Sequence, residues 1–164
     1  MSWRLSSIDC GDNMDRRCFF LLGSSWVVAP QFVAAATRTI WSAAETADAL
    51  AQNRVSLIDV RSRPEWIETG VAKDAWPISM HEPGFEHRLF AARDFSGEKP
   101  IALICATGGR SGHLLSALKQ AGYTGFIDVS EGMLGSPKGP GWIARGLPVT
   151  DMEAALASLP DTLR

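Results

Sequence analysis

The stretch Pro100-Ile-Ala-Leu-Ile-Cys105-Ala-Thr-Gly-Gly-Arg110, running on from Ser111 to Gly122, decides how this chain folds. Pro100 to Ile104 is a short apolar run that reads as a strand covered on both faces. From Ser111 the residues Leu114, Leu115, Leu118 and Ala121 recur at helical intervals, and Gly122 supplies the stop. Between strand and helix lies a tight turn with a cysteine at its mouth. Gly108 and Gly109 allow the positive φ angles of a cradle, in which successive backbone N–H groups and the positive helix end point inward. Arg110 adds a permanent charge. Such surroundings stabilise a thiolate, the nucleophilic form of cysteine. Taken alone, a Cys at the end of a buried strand is a core residue. The Gly-Gly-Arg after it favours a site, because a packed core has no use for a concavity lined with donors.

Working outward, Val55-Ser-Leu-Ile-Asp-Val60 and Phe126-Ile-Asp-Val129 repeat the strand signature, and Ala75 to Ile78 reads as another short strand. Ser42-Ala-Ala-Glu45 has capping-box spacing and opens a helix over 43–52. Ser62-Arg-Pro-Glu65 starts a second helix that Gly70 closes. Phe85 to Ala92 carries a helical pattern, and Thr150-Asp-Met-Glu153 reads as a further capping box opening a last helix through Leu159. Apolar strands alternating with helices imply an α/β domain, a parallel sheet with helices on both faces. In such sheets ligands sit at the carboxyl ends of the strands, which directs attention to the segment after Ile104.

Composition limits the function. The 164 residues are 46% apolar and 21% charged, enough for one domain with a sizeable core. A net charge of −2 offers no field for a nucleic-acid backbone, so no nucleic-acid partner is expected. Cys10 and Cys18 lie near the N-terminus and Cys105 stands alone in the body, which excludes a disulfide-stapled fold. No C-x-x-C occurs, and His81, His87 and His113 are scattered. No metal and no cofactor is therefore expected.

Residues 14–36 have a charged start, a moderate apolar run from Phe19 to Ala29 and small residues at the end, the layout of an export signal. The run is too short and too broken by Gly23, Ser24 and Ser25 to remain as a membrane anchor. Pro30 and Ala34-x-Ala36 suit cleavage after Ala36, leaving a mature domain at 37–164 with no membrane association. Arg16-Arg17-Cys18-Phe19-Phe20-Leu21 is similar to the twin-arginine export motif, although Asp15 stands where Ser or Thr is preferred. A general secretion signal and a buried N-terminal helix are the alternatives. Asp9 and Asp12 fit no leader, which makes Met14 an alternative start to Met1. The expected location is the periplasm, where any protein partner is unidentified.

Cys105-Ala-Thr-Gly-Gly-Arg110, Leu57-Ile-Asp-Val-Arg61, Pro64-Glu65-Trp66, Gly70 and Trp142-Ile-Ala-Arg-Gly-Leu-Pro-Val149 together resemble the rhodanese-like family. These are sulfurtransferases that carry a persulfide on the Cys of a C-x-x-G-x-R loop. The resemblance spans residues 40–149 and implies a rhodanese-like domain whose partners are a small sulfur donor and a thiophilic acceptor. It implies Cys105 as the sulfur-accepting nucleophile, with the amides of Ala106, Thr107, Gly108, Gly109 and Arg110 around the outer sulfur. Arg110 would shape the loop and draw anions such as thiosulfate. Asp59 and Arg61 match family positions with a mainly structural part. Two departures stand out: Val71 follows Gly70 where the family usually has His, and the link from Gly132 to Trp142 is longer than usual. That link reads equally as part of the site rim, with Lys138 as its only charge, or as a surface loop.

Two other functions compete. A cysteine phosphatase places five residues between thiolate and arginine, whereas four separate Cys105 from Arg110, a ring suited to one sulfur rather than a phosphoryl group. A non-catalytic rhodanese-like binding or regulatory module is the stronger rival. Such modules commonly lack the cysteine, and its retention here favours the enzyme.

Overall fold

The structure, a computed structural model, describes residues 38–164, so the expected leader and Thr37 lie outside the described residues. In chain order the elements are β1 (Ile40–Trp41), α1 (Ala43–Ala51), β2 (Ser56–Asp59), α2 (Arg63–Thr69), β3 (Val71–Ala72), β4 (Trp76–Pro77) and α3 (Phe85–Ser96). There follow β5 (Ile101–Ile104), α4 (Gly109–Gln120), β6 (Phe126–Val129), α5 (Gly141–Ala144), β7 (Val149–Thr150), α6 (Met152–Ala157) and a 3-10 turn at Asp161–Leu163.

Five strands form a parallel sheet in the order β1-β6-β5-β2-β4. Leu57 stands opposite Ala102, and Ala102 opposite Ile127, so β5 is central. Every residue of β2, β5 and β6 is buried, as strands covered on both faces require. Alternation sends Leu57, Ala102, Ile104, Ile127 and Val129 to one face, against Ala43, Trp66, Trp142 and Ala155. Ile58, Ile101, Leu103 and Phe126 go to the other, against Leu89, Ala92, Leu115, Leu118 and Leu163. Helices thus cover both faces. β3 and β7 make a separate antiparallel pair.

The capping box of α1 is formed: the Glu45 amide donates to Ser42 Oγ at 3.2 Å and the Ser42 amide to Glu45 Oε2 at 2.8 Å. Beyond one-residue shifts at several strand and helix ends, four differences from the sequence reading stand out. α4 starts at Gly109 rather than Ser111, because only Gly108 adopts a positive φ (77°) and Gly109 is already helical. α3 continues past Ala92 to Ser96, where Gly97 at φ 62° ends it. No Thr150 capping box forms, since Thr150 is held extended in the ladder opposite Val71, and Asp151 caps α6 by accepting from the Ala154 amide at 2.9 Å. That helix closes at Ala157, short of Leu159.

Candidate active site

Cys105 follows the last residue of β5 at the carboxyl end of the central strand. The two-residue period carries its side chain to the face of Ile101 and Leu103, under α4, where it is a free thiol 1% exposed. The loop Ala106–Gly108 is held by the segment after β6. Met133 N donates to the Cys105 carbonyl at 2.9 Å and Leu134 N to the Ala106 carbonyl at 2.8 Å. The two backbones approach too closely for side chains: a Cβ on Gly108 would lie 2.0 Å from the Ser130 carbonyl oxygen, and one on Gly132 would lie 2.4 Å from that of Ala106. With these loop carbonyls engaged outward, the amides of Ala106, Thr107, Gly108, Gly109 and Arg110 have no acceptor among the described residues. The last of them open the first turn of α4, where helix amides lack partners and carry partial positive charge.

Arg110 turns back to α2. Its Nη1 donates to Glu65 Oε2 at 2.9 Å and its Nη2 to Glu65 Oε1, while Nη1 also lies 3.1 Å from His81 Nε2, which must accept. Glu65 Oε2 additionally accepts from the Ser62 amide at 2.9 Å and the Ser62 hydroxyl at 2.7 Å. Arg110 holds the Glu65 carboxyl down at about 2, with the Ser62 bonds assisting against burial. The guanidinium is in turn raised, first by Glu65 and less by the charges of Cys105 and Asp59.

Behind the thiol, Ser111 Oγ lies 3.4 Å from Cys105 Sγ and 2.6 Å from Asp128 Oδ1. Asp128 is 2% exposed, and burial pushes its carboxyl up, against the Ser111 hydrogen bond and the charge of Lys138.

Asp59 and Arg61 form a buried ion pair: Arg61 Nη2 donates to Asp59 Oδ2 at 2.7 Å and to the Gly70 carbonyl at 2.6 Å, and Nη1 donates to Thr69 Oγ1 at 2.7 Å. The pair therefore fastens the end of α2 to the end of β2. Trp142 is buried, its indole N–H donating to the Pro148 carbonyl at 2.9 Å. Val71, in the place of the family's histidine, packs in the core. The long link is an ordered wall beside the cysteine loop. Buried Glu131 accepts from Arg145 Nε at 2.9 Å and from the Gly141 amide at 3.2 Å, and Ser136 to Gly139 closes a turn that exposes Lys138.

Sequence reasoning assigned no part to Ser111, Asp128, His81 or Glu65 as the partner of Arg110. Asp128 had a signal, a charge inside an otherwise apolar strand. Ser111 follows Arg110 directly, and His81 had none.

The family model described as the rhodanese-like domain matches residues 42–135. Among curated proteins none matches. The crystal structure of Rv0390 from M. tuberculosis is similar, with 26% sequence identity, coverage of 68% of this chain and 96% of that one, and a TM-score of 0.50. The parallel sheet, the helices on both faces and the family match agree, and the chain belongs to the rhodanese-like domain family.

Proposed function

We propose that the protein is an exported sulfurtransferase in which Cys105 accepts sulfane sulfur from a thiosulfate-like donor and passes it to a thiophilic acceptor such as cyanide or a thiol. The thiolate attacks the donor's outer sulfur, the donor S–S bond breaks with both electrons leaving on sulfite, and a persulfide forms on Cys105. The acceptor then takes the outer sulfur and the thiolate returns. The observation that carries this reading is the set of amides from Ala106 to Arg110 that find no acceptor among the described residues, donors in the loop that Cys105 opens and suited to negative charge on the outer sulfur. Cys105 is the sole cysteine among the described residues, so with the leader removed no internal resolving disulfide can form and the acceptor comes from outside.

Thiocyanate formation from thiosulfate and cyanide tests the activity: the wild type is expected to turn over and Cys105→Ser to be inactive. Wild-type rates in the serine variant contradict the covalent route. The 1% exposure of Cys105 favours the binding-module reading, under which neither protein forms thiocyanate.

Export rests on the Arg16-Arg17 pair, the short apolar run and Ala34-x-Ala36. N-terminal sequencing of protein recovered from the periplasm is expected to begin at or next to Thr37. An intact leader on soluble cytoplasmic protein contradicts export.

A further inference from the structure

Asp128 is a buried carboxyl for which sulfur transfer as written has no use. It stands on β6 with its Cα opposite Leu103 of β5, so its side chain lies on the same sheet face as Cys105, beneath the start of α4. Among the described residues the Ser111 hydroxyl is its one hydrogen-bond donor. A buried carboxylate needs several donors to stay ionised, so one donor favours the neutral acid.

We propose that Cys105 and Asp128 hold one proton between them through the Ser111 hydroxyl, with Asp128 as the positioning residue that keeps the proton taken from the nucleophile. Ser111 Oγ, 2.6 Å from Oδ1 and 3.4 Å from Sγ, has one proton to give and can accept another, so the chain of contacts works in either direction. In one arrangement the Cys105 S–H donates to Ser111 Oγ and the Ser111 O–H donates to ionised Asp128. In the other the Asp128 O–H donates to Ser111 Oγ and the Ser111 O–H donates to the thiolate. Passing from the first to the second moves the sulfur's proton to Ser111 and that of Ser111 to Asp128, and the net charge stays at one negative. A second anion beside the thiolate is avoided, and the nucleophile keeps a hydrogen bond.

The surrounding charges fit this sharing. From the link before α5, Lys138 is the cation whose field reaches Asp128. Arg110 of α4 acts on Cys105 but is bonded to Glu65 of α2, with His81 at its Nη1. Asp59 of β2 is bonded to Arg61. Among the described residues this chain of contacts holds no third titratable group, so the shared proton of the proposal lies between Cys105 and Asp128.

The inference rests on Cys105 being the nucleophile, and its test needs no sulfur transfer. Iodoacetamide alkylation of Cys105 in the full chain is followed against pH by mass spectrometry of its peptide, because the sequence also holds Cys10 and Cys18. The wild type is expected to show two steps, one for each proton leaving the pair, and an infrared carbonyl band of a protonated carboxyl. Asp128→Asn is expected to lose one step together with that band. Ser111→Ala, which keeps the carboxyl, is expected to lose the second step while retaining the band, and it reads the coupling if the Asn variant fails to fold. A single wild-type step, or a two-step profile that both variants leave in place, overturns the inference. Two steps without thiocyanate formation keep it and remove the sulfurtransferase reading, whereas turnover with a single step does the reverse.

Discussion

Arg110 and Glu65, 45 residues apart in sequence, are joined by both terminal guanidinium nitrogens and both carboxylate oxygens, with Nη1 to Oε2 at 2.9 Å. The same Oε2 accepts the Ser62 amide, so one carboxylate caps α2 and anchors the turn that opens α4. The guanidinium charge is thereby compensated beside the cysteine loop. Under the proposed sulfur transfer, Arg110 would then act chiefly by fixing the loop's geometry and less by drawing in an anionic donor.

Arg110→Lys tests that division. Lysine keeps the charge but loses the planar fork that meets Glu65 with two bonds. Without that fork the loop amides lose their fixed placement, and misplacement of this kind predicts a fall of roughly tenfold to a hundredfold in thiocyanate formation. Unchanged thiosulfate kinetics in the lysine variant would show that the guanidinium geometry is irrelevant.

Acid stability provides a second test. The Glu65 carboxyl is held at about 2 against an ordinary 4.5, first by the Arg110 bond. A carboxyl lowered on folding contributes stability that is complete above its unfolded value and disappears as pH falls through its folded one. The wild type is thus expected to lose this contribution between pH 4.5 and about 2. Glu65→Gln lacks that slope and is less stable at neutral pH by about 1–3 kcal/mol. Glu45, also held at about 2, adds the same slope to both proteins. Urea unfolding over a pH series measures the difference, and parallel curves for the two proteins contradict the account.

The paired glycines should respond very differently. Gly108 has φ 77° and its added Cβ would meet the Ser130 carbonyl oxygen at 2.0 Å, so Gly108→Ala is expected to cost about 3 kcal/mol or more and to abolish turnover. Gly109 is helical and its Cβ would meet nothing within 4 Å, so Gly109→Ala is expected to change stability by no more than about 1 kcal/mol. Equal losses in both variants contradict the loop geometry described here.

The sheet was readable in advance because Ser56–Asp59, Ile101–Ile104 and Phe126–Val129 are apolar enough to demand cover on both faces. Their alternation with helical periods then implied parallel pairing. β1, β3 and β7 hold two residues each, too few for any period, and their pairing is decided by tertiary contacts. At the site, Cys105 through Arg110 is one contiguous motif, whereas the groups around it come from other elements. Glu65 reaches Arg110 only once α2 is laid beside α4, and Asp128 reaches Ser111 only through the β5–β6 register. Contacts of that kind leave no spacing to read.

Intact-mass spectrometry after incubation with thiosulfate tests sulfur acceptance at Cys105 most directly. The wild type is expected to gain the mass of one sulfur atom, to lose it again on addition of cyanide, and Cys105→Ser is expected to gain nothing. A wild-type mass that thiosulfate leaves unchanged, or an equal gain in the serine variant, contradicts the assignment of Cys105 as the sulfur carrier.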